Sequence, residues 1–303
     1  MPTPLRALTT TAAAGAAAAA AGFGYAAREA RSFRLHRAFV PVLPPGARPL
    51  RVLHLSDLHL VPRQAAKREF VRSLDALEPD LVVTTGDNLA ALDAVPAVLE
   101  TYAGLLRRPG VFVLGSNDYW APRPRNWSAY LWRRQGPSEV KAPRLPTEDL
   151  VRGFREAGWV DLDNARARLD VAGVSLDLVG VDDPHLRYDR YPSRAGHDAT
   201  GTDLLLGVAH APYRRTLDAM TAEGAALVLA GHTHGGQLCL PGYGALVTNC
   251  DLPRDKAAGL SRWATGSRES WLHVSSGLGT SPYSPFRFAC PPSATLLELV
   301  PRR

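Results

Sequence analysis

Short apolar runs alternate with stretches of helical spacing along most of the chain. Residues 51–56, 81–84 and 111–114 are compact and largely apolar, each bounded by Gly, Pro, Asn or Asp. Runs of that length and boundary predict buried strands. Between them, Ala66, Phe70, Leu74 and Leu77 share one face of a helix over 64–77, and residues 92–106 repeat the pattern. The rhythm resumes downstream. Residues 147–157 predict a helix whose Glu148 and Asp149 suit its amino end. Residues 161–181 read as two strands around Ala172-Gly173, and 204–208 as another. A short helix over 213–222 and an apolar strand over 225–230 follow. Residues 33–43 alternate weakly into Pro44-Pro45-Gly46, an edge strand and turn. Strand–helix alternation implies right-handed crossovers and a largely parallel or mixed sheet covered by helices, an α/β fold. Beyond 240 the chain reads as turn-rich with short strands.

Two stretches break the rhythm. Residues 7–27 carry no charge and are mostly alanine. They are near spanning length and read as an amino-terminal membrane anchor, or as a signal-like segment that is cleaved. Arg28, Arg31, Arg34 and Arg37 outweigh Arg6, which by the positive-inside rule leaves the main body in the cytoplasm. A cleaved signal would instead release it outside. The chain therefore divides into residues 1–32, an anchor or signal, and 33–303, a single domain. Residues 121–146 form an insertion in it, with Trp127 and Trp132 among arginines and prolines, just after Trp120. That length suits a lid or a loop at lipid headgroup level.

Composition narrows the function. A formal charge of +6, from 35 basic and 29 acidic residues among 303, is mild and scattered. No nucleic-acid-binding patch is evident. Cys239, Cys250 and Cys290 lack CxxC spacing, which argues against a disulfide framework or zinc ribbon. A Cys239–Cys250 bridge is the pairing that an oxidising compartment would allow.

The chemistry sits at strand ends. Asp57 and His59 follow the first run, Asp87 and Asn88 the second, and Asn117 and Asp118 the third. His210 follows the 204–208 strand, and Gly231-His232-Thr233-His234-Gly235-Gly236-Gln237 follows the 225–230 strand. A His-x-His on extended backbone sends both rings to one side, where they ligate one metal or two neighbouring ones. Open α/β sheets gather their sites at the carboxyl ends of strands. Mixed carboxylates and imidazoles suit Mn, Fe or Zn. The ligands are too many for one tetrahedral ion and suit two sharing a carboxylate.

The set D-x-H, G-D-N, G-x-x-D, H-x-P and G-H-T-H-G-G-Q resembles the signature of the calcineurin-like metallophosphoesterase superfamily, from about residue 50 to 299. Gly277-Leu278-Gly279-Thr280 with Arg287-Phe288 and Cys290-Pro291-Pro292 resembles the tail of its membrane-associated bacterial branch. The resemblance implies a four-layer α-β-β-α sandwich of two mixed sheets flanked by helices. It implies two divalent transition-metal ions: Asp57, His59 and His234 on the first, His210 and His232 with a side chain of the 115–118 turn on the second, and Asp87 bridging. It implies hydrolysis of a phosphomonoester or phosphodiester by metal-bound hydroxide. The substrate partner is then a phosphoester, lipid- or envelope-linked if residues 7–27 hold the chain at a membrane.

One turn departs from the family. Where G-N-H-[DE] is usual, the chain reads Gly115-Ser116-Asn117-Asp118. The expectation here is Asn117 as ligand, with Asn88, Asn117 and Asp118 as candidate catalytic side chains and the histidine role vacant. That vacancy leaves an alternative, a metal-binding scaffold that kept the fold and lost turnover. His54 reads as a core histidine, and His185 and His197 as loop histidines.

Overall fold

The computed structural model describes residues 4–124 and 142–302. Trp127, Trp132 and most of the insertion fall outside the described residues. In chain order the elements are α1 (Pro4–Glu29), β1 (Arg34–Leu43), β2 (Leu50–Leu55), α2 (Ala65–Ser73), β3 (Leu81–Thr84), α3 (Ala94–Tyr102), β4 (Gly110–Phe112) and α4 (Ser116–Tyr119). After the insertion come α5 (Thr147–Glu156), β5 (Val160–Asp161), β6 (Arg166–Val171), β7 (Val174–Val181), β8 (Leu204–Ala209), α6 (Arg214–Glu223) and β9 (Leu227–Ala230). The chain closes with β10 (Cys239–Leu240), β11 (Gly244–Ala245), β12 (Gly259–Thr265), β13 (Arg268–Val274) and β14 (Ser293–Pro301).

Two six-stranded mixed sheets result, ordered β1-β14-β2-β3-β4-β5 and β12-β13-β9-β8-β7-β6. Strands β2 to β5 run parallel, as do β7, β8, β9 and β13. The short runs carry apolar side chains on both faces because both faces of each strand are covered, with Arg51, His54 and Thr84 as the polar positions of β2 and β3. Leu81 and Val83 point between the sheets, toward Leu206, Val208 and Leu229. Val82, one residue over, packs with Phe112 under Val98, Tyr102 and Phe154 of the helical layer. On the other sheet, Leu227 and Leu229 face inward, while Val228 packs outward on Leu217 and Met220 of α6. This alternation builds the α-β-β-α sandwich. Each fully buried Leu or Val contributes about 1.5–3 kcal/mol, which a polar residue on either face would forfeit.

The carboxyl-terminal part holds more regular structure than its turn-rich sequence implies. β14 is a nine-residue strand. It enters the first sheet between β1, to which it is parallel, and β2, to which it is antiparallel. Its pairing partners lie some 250 residues away in sequence, so no local pattern announces it.

The amino-terminal helix also departs from expectation. Residues 4–29 are helical, but no helix among the described residues is long and apolar enough to cross a membrane. The transmembrane reading of residues 7–27 is corrected on that point, because alanine adds little apolarity per residue. The end of α1 is tied down on the domain instead. Phe23 meets Phe286 with ring centroids 4.4 Å apart, and Tyr25 meets Phe288 at 5.1 Å. The Arg287 N–H donates to the Ala26 carbonyl at 3.1 Å.

The two sheets converge at the carboxyl ends of their parallel strands. Gly231, just past β9, lies so close to the end of β2 that an added Cβ would collide with Ser56 Oγ and stand 2.6 Å from Asp57 Oδ2. Gly231→Ala is therefore expected to destabilise the fold by about 1–3 kcal/mol, as overpacking does. A urea midpoint equal to that of the wild type would show that the strand ends have room to part.

Candidate metal centre

The strand ends supply the site. Backbone pairing of β2 and β3 continues past the strands: Asp57 N donates to the Gly86 carbonyl and His59 N to that of Asp87, both at 2.9 Å. This carries Asp57 and His59 alongside Asp87. From the other sheet, His210 follows β8, and His232 and His234 follow β9. Five of these side chains sit on left-handed backbone: Asp57 (φ 49°), His59 (42°), Asp87 (57°), His232 (68°) and His234 (50°). Such conformations cost about 1–3 kcal/mol each without glycine and persist where the surroundings enforce them. The His-x-His pair is accordingly not extended. Strand β9 stops at Ala230, the chain turns back, and the two rings part, His234 toward His59 and His232 toward His210.

The first cluster joins Asp57, His59 and His234; the second joins Asp57, Asp87 and His210, with donor atoms of each set within 4.8 Å of one another. His59 Nε2 lies 3.3 Å from His234 Nε2, and His234 Nε2 lies 3.6 Å from Asp57 Oδ1. His210 Nε2 lies 3.3 Å from His232 Nδ1. Asp87 stands between the clusters. Its Oδ2 is 3.4 Å from His59 Nε2, and its Oδ1 is 3.6 Å from His210 Nε2.

The donor set fits divalent cations. His210 Nδ1–H donates to the Thr85 carbonyl at 2.6 Å, which aims Nε2 into the cluster. His234 Nδ1 likewise donates to the Gly279 carbonyl at 3.1 Å, and His59 Nδ1 is buried without a partner. Ring nitrogens facing one another across 3.3 Å, beside two buried carboxylates, make a cradle for positive charge. Burial takes His59 down to about 4 and holds His232 and His234 well below the usual imidazole range. These rings are therefore uncharged and able to ligate. Burial opposes charge on Asp87 too, but His210, His59 and two hydrogen bonds from Asn117 outweigh it and hold its carboxyl below the usual range. Burial also disfavours charge on His210, yet Asp87, Asp183 and Asp57 surround it and lift it to about 9. Asp57 is raised to about 6, chiefly by burial.

The candidate catalytic residues divide. Asn117 borders the cavity, its backbone N–H donating to Asp87 Oδ1 at 2.7 Å and its Nδ2 to Oδ2 at 3.0 Å. Ser116 lines the same cavity, with its Oγ 3.3 Å from Asn117 Nδ2. Asp118 is fully buried. It accepts the N–H groups of Asp87, Asn88 and Gly115 at 2.8, 2.7 and 3.0 Å, so it fixes the turn that carries Asp87. The side chain of Asn88 turns into the core, its Oδ1 accepting from Tyr102 Oη at 3.1 Å. Both are positioning residues by this geometry.

Two contributors, Lys67 and Asn249, had no sequence signal, and a third, Arg287, stood out only as part of the tail motif. Buried Lys67 donates to the Leu58 carbonyl at 2.7 Å and to that of His59 at 3.3 Å, holding the Asp57–His59 segment. Asn249, on left-handed backbone (φ 59°), places Nδ2 3.3 Å from His232 Nε2. Arg287 is fully buried and donates to the carbonyls of Ser276 and Gly279 at 2.7 Å, and to that of His234 at 3.2 Å. Behind the site, His54 Nδ1 meets His273 Nδ1 at 2.8 Å, and His54 Nε2 meets Thr85 Oγ1 at 3.0 Å. Thr85 then donates to Ser56 Oγ at 2.7 Å, and Ser56 to Asp57 Oδ2 at 2.5 Å. His185 belongs to the site rather than to a solvated loop: its ring centroid is 4.5 Å from that of His232. His197 does not, being paired with Asp177 at 2.7 Å. The three cysteines are free, and Cys239 clusters with Cys290, not with Cys250.

The family model of calcineurin-like phosphoesterases matches residues 50–236 of this chain. The chain is 30% identical over 217 residues to the transmembrane protein with metallophosphoesterase domain of Bos taurus; the match covers 66% of this chain and 44% of that protein. It is 27% identical over 285 residues to the UDP-2,3-diacylglucosamine pyrophosphatase LpxG of Chlamydia trachomatis, covering 82% and 83%. It is 28% identical over 291 residues to the phosphodiesterase YaeI of Escherichia coli, covering 92% and 93%. The matched stretch thus spans under half the length of the Bos taurus protein.

At pH 7 His210, raised to about 9, carries a proton that a bound cation must displace. Divalent metal binding is therefore expected to release at least one proton per chain, and affinity is expected to rise with pH up to about 9. Calorimetry in two buffers of different ionisation enthalpy checks this. A binding enthalpy equal in both would mean that His210 Nε2 is already unprotonated.

Proposed function

The chain belongs to the calcineurin-like phosphoesterase family, and from that premise we propose that it is a two-metal phosphoester hydrolase. The observation that carries the reading is the placement of Asp87, with one oxygen toward His59 and the other toward His210. Asp57, His59 and His234 would hold one ion, and His210 and His232 the other, with Asp87 between them. Asn117 would complete the second set: it hydrogen-bonds both oxygens of Asp87, and its amide oxygen is a better neutral ligand than the Ser116 hydroxyl. Nitrogen and oxygen ligands together suit Mn, Fe or Zn. When bound, such a pair supplies Lewis acidity toward water and toward phosphoryl oxygens.

The remaining work falls to this chain's own groups. Asp118, Lys67 and Arg287 hold the ligand-bearing backbone. Asn117 has no transferable proton, so it does not protonate a leaving oxygen. His185 is the one histidine lining the cavity outside the ligand set, its Nδ1 3.0 Å from Tyr213 Oη. Its place in the cavity suits it to pass a proton to a poor leaving oxygen. The name of LpxG, a pyrophosphatase for a diacylated sugar nucleotide, supports a lipid- or envelope-linked ester here. The reading includes a membrane-associated location, with release after signal cleavage as the alternative.

The test is turnover of bis(p-nitrophenyl) phosphate with added Mn, with bound metal counted in parallel. Asp87→Asn is expected to lose metal and about 10²-fold or more in activity. Wild-type protein that binds two ions without turning over any ester would instead be a metal-binding scaffold, the outcome that the Asn117 turn leaves open.

His185→Ala is expected to slow alkyl esters by up to about 10²–10⁴-fold and nitrophenyl esters far less, because phenolates leave unaided. Equal slowing of both ester classes would remove His185 from proton transfer.

A further inference from the structure

The metal cluster lies at one end of a cavity of about 1020 Å³ whose other end is apolar. At the polar end are His59, Asp87, His232 and His234. Away from it the walls are chiefly Leu238, Leu246, Val247, Phe286 and Phe288, with Gln237, Ser281 and Ser284 among them, and Arg123 is the one charged side chain there among the described residues. The opposite wall is α1. Ala19, Gly22, Phe23 and Ala26 border the cavity, and their spacing puts them on one helix face. Small-molecule sites commonly occupy ~300–1000 Å³, so this space exceeds what a phosphate and a short alcohol would fill.

The rim is apolar as well. Phe23, Leu240 and Tyr283 line the cavity and stay 58%, 49% and 53% exposed. Tyr25 and Tyr243, next to them in sequence, are 48% and 58% exposed. These are five of the nine large apolar side chains exposed among the described residues. Aromatic side chains with one apolar and one wet end suit a lipid–water boundary. A trough that runs from donors suited to phosphoryl oxygens into a largely apolar space fits one kind of molecule, an amphiphile.

Resting on the phosphoester reading above, we propose that the trough between α1 and the 238–247 and 284–288 segments binds an alkyl or acyl chain of the substrate, with the phosphoester at the metal cluster. The amino-terminal helix is then a wall of the substrate site. Each buried methylene contributes about 0.8 kcal/mol, or roughly 4-fold in affinity.

Alkylphosphonates from ethyl to octyl, bound to Mn-loaded full-length protein and followed by calorimetry, read the trough without turnover. Full burial predicts a Kd falling on the order of 10³-fold across the series. Gly22→Trp should flatten it, because the added Cβ has nothing within 4 Å and the ring extends into the trough. Leu240→Glu, at the exposed rim, should flatten it by placing charge beside the chain. The readout is the octyl-to-ethyl ratio within each variant, so a general loss of affinity cancels. Wild-type affinity independent of chain length, or ratios unchanged in both variants, overturns the proposal. Failure of the phosphoester reading looks different: octyl binding persists while no ester is hydrolysed.

Discussion

Asp57 and Asp87 are buried side by side, next to three imidazoles kept uncharged by burial and one, His210, kept charged by its carboxylate neighbours. Isolated buried carboxylates are costly unless hydrogen-bonded or paired with a cation. Much of the surrounding structure answers that demand. Ser56 and the His232 N–H donate to Asp57, and Asn117 donates twice to Asp87. Asp118 collects the backbone N–H groups that would otherwise be lost in the turn bearing Asp87. The left-handed backbone at five ligand positions belongs to the same account. The two sheets, packed face to face, keep those conformations from relaxing.

The sequence displayed the parallel part of this fold because each short strand is largely apolar on both faces and the intervening helices are amphipathic. β3 (Leu81–Thr84) is the clearest instance, since its limits are visible in the sequence itself. β14 was hidden because its reason for being a strand is a pair of partners at the far end of the chain. At the metal cluster, Asp57, His59, Asp87, His210, His232 and His234 were visible through residue type and position at strand ends. Lys67 and Asn249 were not, because holding a carbonyl or flanking a ring leaves no spacing pattern, and Arg287 stood out only within the tail motif, with no sign that it holds the His234 carbonyl. Asp118 and Asn88 had the right residue type for chemistry, and only the direction of their side chains shows that they brace the site. His185 was legible only as a loop histidine, one of two that could supply an acid by swinging in, because a lone loop histidine carries no sign of the ring it packs against.

The segment around Arg287 joins the metal cluster to the apolar trough. Its backbone runs beside residues 237–239: Phe288 N donates to the Gln237 carbonyl at 3.0 Å, and Cys239 N to that of Phe288 at 2.8 Å. Extended backbone sends alternate side chains to opposite sides. Phe286 and Phe288 accordingly meet Phe23 and Tyr25 of α1, while Arg287 between them reaches the carbonyl of His234 in the first cluster. Gln237, the last residue of the G-H-T-H-G-G-Q motif, closes the arrangement by donating to the Phe286 carbonyl at 3.0 Å. One tripeptide thus presents two aromatic rings to the amino-terminal helix and one guanidinium to the backbone of a ligand. A shift of α1 that moves those rings cannot leave Arg287 in place, because the Arg287 N–H is itself bonded to Ala26 of that helix. The helix that walls the trough and His234 are therefore coupled through the 287–290 segment, in which Cys290 makes a second link, its N–H donating to Glu29 and its Sγ–H to the His234 carbonyl.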